Sequence, residues 1–89
     1  MVQVVMTEEE ILRRIGESVL TKRRRLGLTQ ERLAALAGLR TSYISDIERG
    51  RRNFSIITIL KLSQALGERP EVVLDLPADV TFEFTSDGD

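Results

Sequence analysis

Apolar residues recur at intervals of three and four through most of the chain, and the recurrence breaks at residues that start or stop helices. Thr7 and Glu10 form a capping-box pattern ahead of a stripe of Ile11, Ile15 and Val19 that runs on towards Leu26. Lys22 falls on that stripe at a partly exposed place, where its stem can pack while its charge stays in water. Thr29 stands at the N-cap of a second helix, QERLAALA, in which Leu33, Ala34, Leu36 and Ala37 make one apolar face, and Gly38 ends it. Thr41 is the next cap candidate. Behind it Ile44 and Ile47 face inward, leaving Ser42, Tyr43, Ser45, Asp46 and Arg49 on the remaining surface until Gly50 stops the helix. Ser55 caps a fourth helix, where Ile56, Ile59, Leu60, Leu62, Ser63 and Leu66 are dense enough to bury much of it before Gly67. Pro70 suits the first turn of a fifth, with Val72, Val73, Leu74 and Leu76 apolar and Pro77 closing it.

The two ends carry a different period. Val2, Val4 and Met6 alternate with Gln3, and Val80, Phe82 and Phe84 alternate with Thr81, Glu83 and Thr85, which reads as strand. A small sheet can join the two ends within one chain or across a dimer; the alternative is a loosely packed tail ordered by a partner. The expectation is an all-α, five-helix domain over residues 7–76 with short terminal strands. An extension covers residues 1–6, and an acidic tail covers 77–89, with a strand over 80–85 and a mobile end from Ser86 to Asp89.

Charge sharpens the picture. The net charge is only −1 over 89 residues. From Thr21 to Asn53, however, nine basic side chains face three acidic ones, a net of +6, whereas from Glu68 to Asp89 one basic residue faces seven acidic ones, a net of −6. A basic field bracketing two short helices joined by a tight turn is what a phosphate backbone would meet. An ordinary helical corner with a solvated charged face is the competing reading. There is no cysteine or histidine, which excludes disulfides, thiol chemistry, histidine acid–base catalysis and most zinc sites; no metal and no cofactor is expected. Scattered carboxylates without a nucleophile–base pair argue against an enzyme. No apolar run approaches the roughly 20 residues of a membrane span, no signal peptide is visible, and a cytoplasmic location is expected.

The segment from Ile15 to Leu76 resembles the Cro/C1-type (XRE) helix-turn-helix regulators, the lambda-repressor-like fold. The resemblance rests on Arg23, GLTQ (Gly27 to Gln30), LA..AGL (Leu33 to Leu39), IERG (Ile47 to Gly50) and LSQALG (Leu62 to Gly67). It implies a homodimer that binds a double-stranded operator as repressor or autoregulator, with the third helix in the major groove. It places Gln30 on phosphate, and Thr41, Ser42 and Asp46 on base edges with Tyr43 and Ser45 beside them. Arg40 would lie against a guanine or a phosphate, and Arg49, Arg51, Arg52 and Asn53 along the DNA backbone. Arg23 and Glu48 match an internal salt bridge, with Arg23 also near DNA. Asp46 departs from expectation, because an anion there repels phosphate; it either accepts from a cytosine amino group or orients a neighbouring arginine. Phe54 stands where many members carry proline, and RNFSI with YIS.IER resembles the small controller proteins of restriction–modification systems. Four apolar residues between Val72 and Leu76 exceed what one helix face buries in a monomer, so Val72 or Leu76, with Ile57, is expected at a two-fold interface. Two other roles fit: an autoregulating antitoxin whose C-terminal tail binds a toxin, and a protein-interaction adaptor that has lost DNA binding.

Overall fold

In the computed structural model, which describes residues 4–84, Thr7 ends one element and caps the next. The elements run β1 (Val4–Thr7), α1 (Glu8–Arg25), α2 (Gln30–Ala37), α3 (Thr41–Glu48), α4 (Ile56–Leu66), α5 (Pro70–Leu74) and β2 (Val80–Glu83). The Glu10 N–H donates to Thr7 Oγ1 at 3.2 Å and the Thr7 N–H donates back to Glu10 Oε1 at 3.2 Å, so the capping box is complete. Three glutamates fill the first turn of α1, and Lys22 with Arg23, Arg24 and Arg25 fills the last, complementing both ends of the helix dipole. Thr29 and Ser55 cap α2 and α4 through bonds from the Arg32 and Thr58 N–H groups.

The core forms where these helices meet. Ile15 and Val19 of α1 pack with Leu33 and Ala34 of α2, Ile44 and Ile47 of α3, Ile59, Leu62 and Leu66 of α4 and Val73 of α5. Gly16 allows α1 to lie directly against α3. A Cβ there would stand 2.3 Å from the Ile47 carbonyl oxygen, so even a methyl group has no room. Gly50 answers to two demands, a left-handed φ of 68° and an approach to the Arg13 backbone that a Cβ would bring to 2.8 Å.

The two strands pair in parallel, with Val4 opposite Val80, Val5 opposite Thr81, Met6 opposite Phe82 and Thr7 opposite Glu83. Both therefore come from one chain, and the five helices form the crossover between them. Met6 is the strand residue that reaches the core side, at 7% exposure. Val2, Gln3, Thr85 and the acidic end from Ser86 to Asp89 lie outside the described residues.

Several expectations need correction. Arg40, not Thr41, is the N-cap of α3, and no side chain caps it; Thr41 is the first helical residue. Leu36 points outward at 47% exposure, because α2 turns only its Leu33–Ala34–Ala37 edge to the core. Ile56 and Leu60 are also exposed, since α4 buries the stripe through Ile59, Leu62 and Leu66 instead. Leu26 sits past the end of α1 and is exposed. Helix α5 ends at Leu74, before Pro77, because Asp75 takes a left-handed φ of 50°; Leu76 therefore lies beyond the helix. Strand β2 stops at Glu83, with Phe84 beyond it, and Thr85 of the expected strand lies outside the described residues.

Candidate nucleic-acid interface

The turn between α2 and α3 is made by local chemistry. Gly38 adopts φ 69°, and the Leu39 N–H then bonds back to the Ala34 carbonyl at 2.9 Å, closing the end of α2. The small Ala34 and Ala37 let α3 cross close to α2. Ile44 and Ile47, both at 0% exposure, anchor α3 to the core. Ser42, Ser45, Asp46 and Arg49 are one and two turns apart on the opposite side.

Beneath α3, Arg23 and Glu48 form a buried bidentate pair. Arg23 Nε donates to Glu48 Oε2 at 2.6 Å and Nη2 donates to Oε1 at 3.1 Å, while Nη1 donates to the Leu28 carbonyl at 2.8 Å. The hydrogen bond that Arg23 donates to Glu48 raises the Arg23 pKa, against the opposing effect of burial, so the guanidinium stays charged. Gln30 joins the same centre by donating from Nε2 to Glu48 Oε1 at 2.9 Å. Three helices are thus tied at one carboxylate. Arg23 is a brace, and the Gln30 amide, half-buried, is oriented by it. A phosphate at the start of α2 would meet the second amide hydrogen of Gln30, which this bond leaves available.

The exposed side chains gather on one side of α3. Arg40, Thr41 and Ser42 at the head of the helix are exposed, and Ser45 and Asp46 are half-exposed below them. An open concavity of about 740 Å³ lies between the head of α3 and the loop before α4, lined by Arg40, Ser42, Tyr43, Arg52 and Asn53 among others. The Arg52 guanidinium lies 5.2 Å from the centre of the Tyr43 ring, and its Nη1 is 3.7 Å from Asp46 Oδ2. Arg52 is therefore the arginine that pairs with Asp46. Asn53 Oδ1 accepts from the Phe54 N–H at 2.9 Å and shapes the loop. Arg49 and Arg51 are exposed and, among the described residues, carry no ion pair.

Tyr43 is more deeply placed than a free groove-facing residue. Its ring packs on the core edge and its hydroxyl lies 3.3 Å from Thr58 Oγ1, which in turn is 3.2 Å from Ser55 Oγ. Thr58 is a supporting residue that sequence reasoning missed; its buried side chain sits on a helix whose apolar pattern drew attention elsewhere. Of the residues expected at a two-fold contact, Ile57 and Val72 are exposed, at 55% and 40%, and Leu76 is half-buried. Ile56 and Leu60 add to the apolar surface on α4 beside α5.

Residues 19–73 match the helix-turn-helix family HTH_3. An HTH-type transcriptional regulator of Sinorhizobium fredii is 45% identical over 67 residues, spanning 75% of this chain and 86% of the relative. The crystal structure of the restriction–modification controller protein C.AhdI from Aeromonas hydrophila superimposes with a TM-score of 0.69 at 44% identity, covering 70% of this chain and 94% of that one. The biofilm master regulator SinR, solved in complex with DNA, superimposes with a TM-score of 0.66 at 35% identity over 68% of this chain and 98% of its own. Both terminal strands lie outside the matched family segment.

Proposed function

Because this chain belongs to the HTH_3 (XRE-type) helix-turn-helix family of DNA-binding transcriptional regulators, we propose that it is a homodimeric repressor or autoregulator that reads the major groove with α3. The observation that carries this reading is the uncapped head of α3. Its first backbone N–H groups are met by no side chain, and they sit beside the exposed Arg40, Thr41 and Ser42, with Arg49, Arg51 and Arg52 following at the helix end. Free N–H groups and nearby guanidinium groups together suit a phosphate and an adjacent base edge. Gln30 and Asn53 extend the backbone contacts on either side, and Ser45 and Tyr43 border the base-reading face.

A dimer through Ile57, Val72 and Leu76, with Ile56 and Leu60, would remove the apolar patch from water and present two α3 helices to successive major grooves about 34 Å apart. Double-stranded DNA is then the principal partner. Fluorescence titration of labelled random duplex at low salt tests the DNA reading directly: binding that weakens steeply with added salt is expected, and absence of binding would overturn it in favour of an adaptor role. The antitoxin reading draws on a different observation, the 64% exposure of Phe84 just beyond β2. Co-purification of a small protein that is lost on Phe84→Ser would favour it.

A further inference from the structure

Asp46 is an anion set in the middle of a cationic surface, and the structure shows which group it pairs with there. Ser42, Ser45, Asp46 and Arg49 share the outward stripe of α3, opposite the fully buried Ile44 and Ile47, so Asp46 lies one turn below the head of the helix. Its partner is Arg52, at 3.7 Å, with the two side chains 39% and 59% exposed. A pair this open and this long is weak and easily exchanged. Arg52 has a second hold, since it lies over the Tyr43 ring, and the Tyr43 hydroxyl is tied to the buried Thr58. Losing Asp46 therefore leaves Arg52 placed, whereas losing Arg52 leaves the Asp46 carboxylate with no partner among the described residues.

We infer that Asp46 is a specificity-determining residue that demands an exocyclic amino group on the base it faces, and that Arg52 is the counter-ion it gives up for that group. The inference rests on α3 entering the major groove. There a phosphate competes for the Arg52 charge. The carboxylate then meets base edges, and it can only accept hydrogen bonds. Guanine O6 and N7, adenine N7 and thymine O4 are acceptors too; cytosine N4 and adenine N6 are the major-groove donors. Opposite an amino group Asp46 gains a charge-assisted bond. Opposite any other edge it is a partly desolvated, unpaired anion, which penalises the wrong sequence. Its role is mainly rejection, so removing it strengthens binding to unselected DNA while weakening discrimination.

Duplexes selected from a randomised pool test this. The wild-type protein is expected to enrich cytosine or adenine at one position per half-site, and Asp46→Ala to lose that enrichment while keeping the others. Replacing the enriched base by its analogue without the amino group, 2-pyrimidinone for cytosine or purine for adenine, is expected to weaken wild-type binding about 5- to 150-fold and to leave Asp46→Ala unaffected. Asp46→Ala should also bind random duplex more tightly at an unchanged melting temperature, a combination that a merely structural role would not give. Arg52→Ala should weaken binding to all duplexes yet retain the base preference. Retained enrichment in Asp46→Ala, equal analogue penalties for the two proteins, or loss of the preference in Arg52→Ala would overturn the assignment. Failure of the wild-type protein to bind any duplex at low salt would instead overturn the DNA-binding reading itself.

Discussion

The Arg23 guanidinium and the Glu48 carboxylate meet as a buried fork, at 2.6 Å and 3.1 Å, across 25 residues of sequence. The contact joins the end of α1 to the end of α3, and the Leu28 carbonyl and the Gln30 amide close it from the α2 side. No buried side-chain polar atom among the described residues is left without a partner. Such a pair adds little over an apolar replacement, but removing one member leaves a buried charge uncompensated.

Arg23→Ala is therefore expected to destabilise the fold by about 3–5 kcal/mol. For a domain of this size that corresponds to a fall in melting temperature of more than about 10 °C. Calorimetry checks it. A loss below about 1 kcal/mol would mean that water reaches Glu48 and the pair behaves as a surface one. Arg23→Lys should fall between, because an ammonium cannot serve both carboxylate oxygens and the Leu28 carbonyl in this geometry.

Gly16→Ala should reverse the usual sign of its substitution. Within an exposed helix the change stabilises by about 1 kcal/mol. Here the new methyl would stand 2.3 Å from the Ile47 carbonyl oxygen, and a backbone atom cannot rotate away. A net loss of about 1–3 kcal/mol in denaturant unfolding is expected. A gain would show that α1 and α3 can separate freely.

Arg51→Ala and Ser42→Ala should separate affinity from choice of sequence. Arg51 is an exposed cation after the third helix, so its loss should weaken binding to every duplex and make the salt slope shallower by about one unit. Ser42→Ala should leave binding to random duplex nearly intact and lower only the preference for a selected site. Titrations at several salt concentrations on both duplexes read the two effects. Equal loss on both duplexes would remove Ser42 from the base-reading set.

Ile57→Glu should convert a dimer into a monomer. The side chain is 55% exposed, so the folded subunit tolerates the charge, whereas a two-fold contact would bring two carboxylates into one apolar patch. Sedimentation at micromolar concentration is expected to show a halved mass with unchanged helical circular dichroism. A wild-type protein already monomeric under those conditions would overturn the proposed interface.

Local signals were legible because they act over a few residues. Thr7, Thr29 and Ser55 cap the helices they precede, and Gly38 and Gly67 end helices in left-handed conformations, since cap hydroxyls and φ above zero answer to neighbours within one turn. The buried faces were legible only in part. Periodicity identifies a stripe, but a stripe wider than the available partner surface leaves some members outside, as it does for Leu36, Ile56 and Leu60. The cap of α3 is ambiguous in sequence for a related reason: a threonine beside a helix start looks the same whether it stands at the cap or one residue inside.

The order of the helices, their caps and the concentration of positive charge around the third helix were determined by the sequence itself, because each depends on residues close along the chain. Tertiary structure alone decided three other matters: that the two ends pair as parallel strands within one chain, that Gly16 is a contact point with no room for a methyl, and that Asp46 is matched to Arg52 above Tyr43. These depend on distances between elements far apart in sequence. A carboxylate that looks misplaced among arginines has a nearby cation to neutralise it once the chain is folded, and a linear reading does not contain that distance.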